Sequence, residues 1–323
     1  MVRDLIKLAR PHQWGKGAFV LIGPFYAFSQ GVVELSPSFV LEALLAFVAF
    51  GLASSGCYVF NDIADREADA LHPRKKKRPI ASGRVPVGTA KAYGIALFAG
   101  AAAAVAVMPA SEEATVWVAG LVLLYIINVM AYSALMKHRV IVDVVSLSIG
   151  FVIRVLVGCA AVEVMPSTWL LNSTLFLAMF LAFGKRLGER RTMAGEASSV
   201  ESVRGVQKIY SDDLLRMAVV MTGVGTLITY AGYVQDQEGR YGPSVKDVAD
   251  GAAWGFNWLW LTMLPATYGL LRCIVQLERG LYDDPTELAL RDRGVKLAGV
   301  VFVALLVGLS LSSRGPGLGV AAG

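Results

Sequence analysis

The stretch Asn61-Asp62-Ile63-Ala64-Asp65-Arg66-Glu67-Ala68-Asp69 directly follows a long apolar run. Its polar residues recur every three or four positions, so on a helix their side chains would share one face. Carboxylates held that closely repel one another, and a hard divalent cation such as Mg²⁺ would offset the repulsion through oxygen ligands. Such an ion usually completes its coordination shell with oxygen atoms of substrate phosphates. The stretch therefore predicts a Mg²⁺–diphosphate site whose ligands are Asn61, Asp62, Asp65 and Asp69.

The composition indicates a membrane protein. Of the 323 residues, 55% are hydrophobic and 17% are charged, whereas soluble domains average about 25% charged residues. Apolar stretches long enough to cross a bilayer recur along the chain. They predict an all-α polytopic membrane protein with nine transmembrane helices, at 14–33, 39–60, 91–109, 114–136, 141–162, 168–185, 214–234, 253–276 and 295–312. The first span is the least regular, because Gly23-Pro24 interrupts it. The predicted organisation is one transmembrane domain, 1–312, with a flexible tail, 313–323.

The basic residues predict the orientation of the chain. Lys and Arg concentrate at the N-terminus and in the connections 61–91, 137–140, 185–216 and 272–296. The opposite loops carry only Arg240, Lys246 and Arg314. Because basic loops stay in the cytoplasm, the N-terminus is predicted inside and the C-terminus outside. The net charge of +5 then reflects loops beside anionic lipid, which favours membrane lipids over nucleic acid as partners.

Several polar residues near the predicted membrane surface have two interpretations. Arg78 precedes the rigid Pro79 and is the cation of its loop that is expected to have a fixed role. The neighbouring cations are expected to be orientation signals. Lys16 is either an interfacial anchor or a ligand for a substrate phosphate, and the same two alternatives apply to Tyr132 and Lys137.

Two further groups of charges are unusual for their positions. Arg154 lies near the middle of the fifth predicted span, where an unpaired charge costs about 3 kcal/mol on insertion scales. Asp143 is three turns away, about 16 Å, and cannot pair with it. Both are predicted to face a polar cavity. The alternative for Arg154 is that it donates hydrogen bonds to backbone carbonyls of a neighbouring helix. Lys185 and Arg186 begin a basic cluster at the end of the sixth span, larger than a helix dipole requires.

These motifs together resemble the UbiA superfamily of intramembrane prenyltransferases. The family's acidic box corresponds to 61–69, its Tyr–Lys motif to Tyr132-Ser133 with Lys137, and its Arg-Pro-x-x-Ser-Gly turn to 78–83. The match runs from about residue 10 to about residue 310. The resemblance implies a UbiA-type bundle of nine helices, dependence on Mg²⁺ and an active site that faces the cytoplasm.

One departure from the family pattern concerns the loop after the sixth span. Prenyltransferases of the superfamily carry a second Asp-x-x-x-Asp motif there, whereas this loop begins Gly184-Lys185-Arg186 and has no Asp before Asp212. That beginning is similar to the branch of decaprenyl-phosphate phosphoribosyltransferases, as are Gln13-Trp14-x-Lys16 and Asp284-Pro285-Thr286. The resemblance implies transfer of a 5-phosphoribosyl group from phosphoribosyl diphosphate (PRPP) to decaprenyl phosphate. It also implies a role in cell-wall arabinan synthesis at a bacterial inner membrane.

The resemblance assigns roles to individual residues. Asp62, Asp65 and Asp69, with Asn61, hold Mg²⁺ on the diphosphate of PRPP. Arg78, Tyr132 and Lys137 contact diphosphate oxygens. The remaining cations bind the 5-phosphate and the lipid phosphate; they are Lys16, Arg154, Lys185 and Arg186.

Two other functions remain as alternatives. A prenyltransferase would move a polyprenyl group from its diphosphate to an aromatic or other acceptor, but the second acidic motif that this needs is missing. A transporter would place its ion site near the membrane midplane, whereas the acidic residues here lie at one face. The sequence is compatible with a homo-oligomer and does not fix the oligomeric state.

Overall fold

The computed structural model describes residues 1–72, 75–137, 139–195, 210–243, 249–251, 255–280, 288 and 291–313. Two sequence predictions lie outside the described residues: the segment Asp284-Pro285-Thr286 and the flexible tail beyond Ser313. Within the described ranges the chain contains helices and no strand, which confirms the all-α class.

The chain divides into two compact units, Met1–Pro166 and Ser167–Gly323. The first unit contains a 3₁₀ helix at Pro11–Gly17 and a π-helix at Tyr132–Met136, which continues α6. Its α-helices are α1 Val2–Ala9, α2 Ala18–Ser29, α3 Pro37–Ala64, α4 Arg66–Leu71, α5 Val87–Ala106, α6 Glu112–Ala131 and α7 Val142–Ala161. The second unit contains a 3₁₀ helix at Trp258–Thr262 and the α-helices α8 Thr168–Gly195, α9 Asp212–Asp236, α10 Met263–Glu278 and α11 Arg293–Ser312. The prediction of a single domain stays a prediction.

Eight helices of the described chain are long and apolar enough to cross a membrane, and they match the second to ninth predicted spans. The first predicted span, 14–33, corresponds to the 3₁₀ helix and the shorter α2. Gly23-Pro24 does not end this helix, contrary to expectation, since α2 continues through Pro24. Beside Pro24 the backbones of α2 and α7 touch at Gly23 and Gly158, where any Cβ would overlap the other helix.

Helix α3 is the centre of the first unit because its small residues admit large neighbours. The indole of Trp14 lies against Gly51 and donates from Nε1 to Ser55 Oγ at 3.0 Å. The ring of Phe98 lies against Gly56. Close approach at small residues is the usual basis of helix packing in membranes. It fixes the end of α3, where the acidic stretch begins.

Ion pairs tie the helices of the second unit together. Asp292 accepts from Arg272 Nε at 2.6 Å and from Gln276 Nε2 at 2.7 Å, and it caps α11 through Val295 N. The hydrogen bond from Arg272 holds the pKa of the Asp292 carboxyl well below its usual range. Because the ionised carboxylate is the bound form, this link between α10 and α11 persists at neutral pH.

Candidate active site

The acidic stretch is helical except at one residue. Helix α3 ends at Ala64, Asp65 adopts φ −87° and ψ 2°, and α4 starts at Arg66. In a regular helix Asp62 and Asp69 would be about 10 Å apart along the axis. In the structure their carboxylates share one guanidinium nitrogen, and both residues are 3% exposed. One guanidinium thus holds the two buried carboxylates close together.

Basic side chains contact every carboxylate of the site. Arg78 Nη1 donates to Asp62 Oδ1 at 3.0 Å and to Asp69 Oδ2 at 2.6 Å. Lys137 Nζ lies 3.0 Å from Asp65 Oδ1, and Lys75 Nζ lies 3.9 Å from Asp69 Oδ1. A second guanidinium, that of Arg10, reaches Asp62 Oδ1 at 2.6 Å. These cations therefore offset the repulsion expected between the carboxylates.

The turn at residues 78–85 positions Arg78. Ser82 Oγ donates to the carbonyl of Arg78 at 2.7 Å, and Gly83 adopts φ +74°, a conformation that favours glycine. The turn is anchored because Ile80 and Val85 are buried in an apolar cluster with α1 and α3. The rigidity of this segment is the feature of the sequence that predicted a fixed role for Arg78.

The π-helix at Tyr132–Met136 orients Lys137. The amide of Lys137 donates to the carbonyl of Tyr132 at 2.9 Å, five residues back, so the turn holds one residue more than an α-turn. The extra residue rotates Lys137 relative to an uninterrupted α6, and its ammonium reaches Asp65. Tyr132 and Ser133 line a cavity that begins beside Asn61. The structure thus places both residues of the Tyr–Lys motif beside the acidic site.

A cavity of about 200 Å³ extends inward from the acidic site within the first unit. Arg154 lines it and is 6% exposed. Its Nη1 donates to Gly150 O at 2.8 Å and its Nη2 to Tyr125 Oη at 3.1 Å. The carbonyl belongs to its own helix, so the alternative of a neighbouring helix is not what the structure shows. Asp143 is buried and is not among the residues that line this cavity, so its predicted position at a polar cavity stays a prediction.

Arg154 carries a charge without a carboxylate partner in the part of the chain that the structure describes. Its guanidinium lies 4.8–5.0 Å from the ring centres of Phe50, Tyr125 and Phe151. Aromatic faces attract a cation but leave its net charge in place. The Nε atom is buried with no hydrogen-bond partner among the described residues. A buried, uncompensated cation that lines a cavity is suited to bind an anion.

Lys16 also lines this cavity, which favours the phosphate-ligand interpretation over the interfacial anchor. The adjacent Trp14 is held by Ser55 and packs edge-to-face on Phe47, so this segment is fixed against α3. Tyr125 and Asn128, which the sequence analysis did not single out, line the same cavity. An isolated Tyr and Asn within an apolar run carried no signal that distinguished them from packing residues.

Lys185 and Arg186 belong to the second unit, and their assignment to phosphates stays a prediction. Lys185 is exposed, whereas Arg186 is buried and donates from Nη1 to Ala182 O at 2.9 Å. The rest of the predicted basic cluster makes ion pairs within this unit: Arg190 with Asp212, and Arg191 with Asp212 and Glu278.

The side chains of the acidic site suit a hard divalent cation in kind, because all their donors are oxygen atoms. They are not gathered as a metal site, however. No three carboxylate, imidazole or thiol side chains of the described ranges lie close enough together to hold a metal ion. A cation would bind only after the basic side chains release the carboxylates.

The fold and the site define an integral membrane protein of the all-helical class, with a charged cavity among its apolar helices. Residues 18–188 match the model of the UbiA prenyltransferase family, and the chain belongs to that family. The decaprenyl-phosphate phosphoribosyltransferases of Mycolicibacterium smegmatis and Mycobacterium tuberculosis are similar to it along almost their whole length. The first is 32% identical over 95% of this chain and 92% of the relative, and the second is 30% identical over 94% and 93%.

Among solved structures, a UbiA homolog from Archaeoglobus fulgidus bound to GPP and Mg²⁺ has the same fold. It covers 96% of this chain and 99% of its own, with a TM-score of 0.63 and 16% identity. At that identity the likeness concerns the fold alone.

Proposed function

We propose that the protein transfers the 5-phosphoribosyl group of PRPP to decaprenyl phosphate or a similar polyprenyl phosphate. The products are decaprenylphosphoryl-5-phosphoribose and diphosphate, for use in cell-wall arabinan synthesis. The observation that carries the proposal is the similarity, over almost the whole chain, to relatives named for this activity. A site that combines acidic ligands with many cations supports it, since both substrates are phosphate esters.

In the proposed reaction an oxygen of the lipid phosphate attacks C1 of the ribose. The bond from C1 to the diphosphate oxygen breaks, and its electron pair leaves with the diphosphate. The nucleophile is already an anion, so no general base is needed. The protein contributes by positioning the two substrates and by stabilising the charge that develops on the leaving group.

The diphosphate is assigned to the acidic end of the cavity. Arg78, Tyr132 and Lys137 would donate to its oxygens, since the two cations already lie at the carboxylates and Tyr132 lines the cavity beside them. A divalent cation, proposed to be Mg²⁺, would supply further charge stabilisation when bound there. The residues that would hold it are Asn61, Asp62, Asp65 and Asp69.

The remaining two phosphates are assigned to four other cations. Arg154 and Lys16 line the cavity, and no carboxylate of the described residues offsets the buried charge of Arg154. Lys185 and Arg186 are assigned from the sequence resemblance alone. Each of the four is proposed to contact either the 5-phosphate or the lipid phosphate.

The proposed setting is a bacterial inner membrane crossed nine times by the chain. The N-terminus and the active site would face the cytoplasm, where a water-soluble donor such as PRPP would enter. The distribution of basic loops supports this orientation. Helix α2 would supply the first crossing, with the eight longer helices as the others.

The proposal can be tested with the purified protein, Mg²⁺, radiolabelled PRPP and decaprenyl phosphate, with the lipid products resolved by chromatography. We expect a labelled lipid that depends on both substrates and on the metal. A parallel reaction would contain a labelled prenyl diphosphate and aromatic acceptors. Product in that reaction, and none from PRPP, would overturn the proposal in favour of a prenyltransferase.

A further inference from the structure

The charges of the acidic site do not favour the binding of a metal ion in the absence of diphosphate. Among the described residues, four basic side chains contact the three carboxylates, so these seven side chains together carry one positive charge. The four cations are Arg10, Lys75, Arg78 and Lys137. A divalent cation arriving alone would meet this positive charge, and it would find Asp62 Oδ1 already bonded to two guanidinium groups. A diphosphate carries enough negative charge to reverse the balance.

We infer that Arg10 is a positioning residue that keeps Asp62 from binding a divalent cation until a diphosphate is present. When the diphosphate enters, Arg10 passes from the carboxylate to the phosphate oxygens and releases Asp62 to the metal. Metal and diphosphate therefore bind together, and each strengthens the binding of the other. This inference rests on the metal–diphosphate site of the proposed function.

The position of Arg10 suits this exchange. Its guanidinium lines the cavity, so a short movement takes it from Asp62 to a ligand there. It also lies 5.0 Å from the ring centre of Tyr58, another cavity residue, which provides a surface along which it can shift. Arg10 adopts φ +50°, in the left-handed region that non-glycine residues rarely occupy, between α1 and the 3₁₀ helix.

Contacts other than that of Arg10 already attach α1 to the rest of the first unit. Leu8 is fully buried in the apolar cluster that holds the 78–85 turn. Ser55 Oγ donates to the carbonyl of Ala9 at 2.8 Å, and Asp4 pairs with Arg84 at 3.5 Å. The contact between Arg10 and Asp62 is therefore not required to keep α1 in place.

The test measures metal binding directly, by equilibrium dialysis of Mn²⁺ against the purified full-length protein, with and without inorganic diphosphate. Arg10→Gly removes the cation and relaxes the left-handed backbone, so it should fold. Arg84→Gln is the matched control, because it removes a cation of the same unit that contacts no carboxylate of the acidic stretch. Circular dichroism and thermal unfolding verify that the three proteins are folded alike.

In the wild type and in Arg84→Gln, diphosphate should tighten Mn²⁺ binding at least about tenfold, the change that one removed charge repulsion of modest strength produces. In Arg10→Gly, Mn²⁺ alone should bind more tightly than in the wild type, and the effect of diphosphate should shrink. Equal Mn²⁺ affinity with and without diphosphate in the wild type would overturn the inference. So would no Mn²⁺ binding under either condition, or identical behaviour of Arg10→Gly and Arg84→Gln. Coupled binding without any product from PRPP would instead count against the proposed function alone.

Discussion

The side chain of Asp65 differs from those of Asp62 and Asp69 in being 30% exposed, with Lys137 as its ion-pair partner. Its charge can therefore be removed without leaving a buried cation unpaired. We predict that Asp65→Asn lowers PRPP turnover by well over about tenfold, through lost stabilisation of the leaving group, while the thermal unfolding temperature stays the same. Initial rates and a thermal-shift assay on one preparation measure both quantities.

Glu67→Gln is the control for Asp65→Asn. Glu67 belongs to the same acidic stretch, but its side chain is 85% exposed, and its one ion-pair partner among the described residues is Arg66 at 3.1 Å. Its replacement should leave turnover unchanged. If Asp65→Asn also turned over PRPP at the wild-type rate, the metal assignment of this residue would be wrong.

Arg154 offers a prediction in which activity and stability change in opposite directions. The buried charge has no carboxylate partner among the described residues and lies in an aromatic cage. Replacement by Met removes an uncompensated charge and keeps an apolar side chain of similar length, which should maintain or raise the unfolding temperature. The Michaelis constant for one phosphate substrate should rise at least about tenfold, as expected when a charged hydrogen bond of 1.5–3 kcal/mol is lost.

The Arg154→Met experiment distinguishes an anion ligand from a structural residue. Loss of stability with an unchanged Michaelis constant would show that Arg154 serves the fold. Arg154→Lys keeps the charge and should recover part of the affinity. Separate titrations of PRPP and of a short polyprenyl phosphate identify which substrate the residue binds.

Among the secondary-structure elements, the π-helix at Tyr132–Met136 has the clearest functional consequence. It contains one residue more than an α-turn, so deletion of Ala134 should restore α-helical geometry and rotate Lys137 by about 100°. The ammonium would then leave Asp65, and we predict a loss of turnover of at least about tenfold, typical for a lost charge-stabilising donor. Leu135→Ala is the control, because it alters an exposed side chain of the same segment without changing the length. Wild-type turnover after the deletion would contradict the proposed role of the π-helix.

The helices could be predicted from the sequence more fully than their interruptions. Apolar length alone located the eight long spans, since a bilayer requires about 20 such residues. The break at Asp65 and the left-handed Arg10 depend on contacts between segments distant in the chain, and no local pattern encodes them. For that reason the sequence predicted carboxylates on one helical face but did not predict the basic side chains from other segments that contact them.

Arg10 illustrates which site residues were missed. Its charge was counted only as one of the N-terminal cations that set the orientation, because Lys and Arg near a membrane surface usually have that role. The side chain becomes part of the site only when α1 packs on α3 through Leu8. Arg154 could be found from the sequence because a charge in the middle of an apolar span is costly wherever the other helices lie.

At the scale of the whole molecule, the proposed orientation has a direct chemical test. The three native cysteines, Cys57, Cys159 and Cys273, are buried and should react little with an impermeant maleimide. New cysteines at Arg3, Glu34 and Lys76 would occupy exposed positions before α2, between α2 and α3, and after α3. With nine spans and a cytoplasmic N-terminus, only Glu34→Cys should be labelled from outside intact cells. The other two should react after permeabilisation.

Two other patterns of labelling would each have a definite meaning for the topology. If Arg3→Cys and Glu34→Cys were both labelled in intact cells and Lys76→Cys were not, α2 would not cross the membrane and the count would be eight. If only Arg3→Cys and Lys76→Cys were labelled, the orientation would be the reverse of the one proposed. The acidic site would then face away from the cytoplasm, where a water-soluble phosphoribosyl donor is expected to be available. Because the 78–85 turn holds Arg78 on Asp62 and Asp69, the side that labels Lys76→Cys is also the side from which the diphosphate must enter.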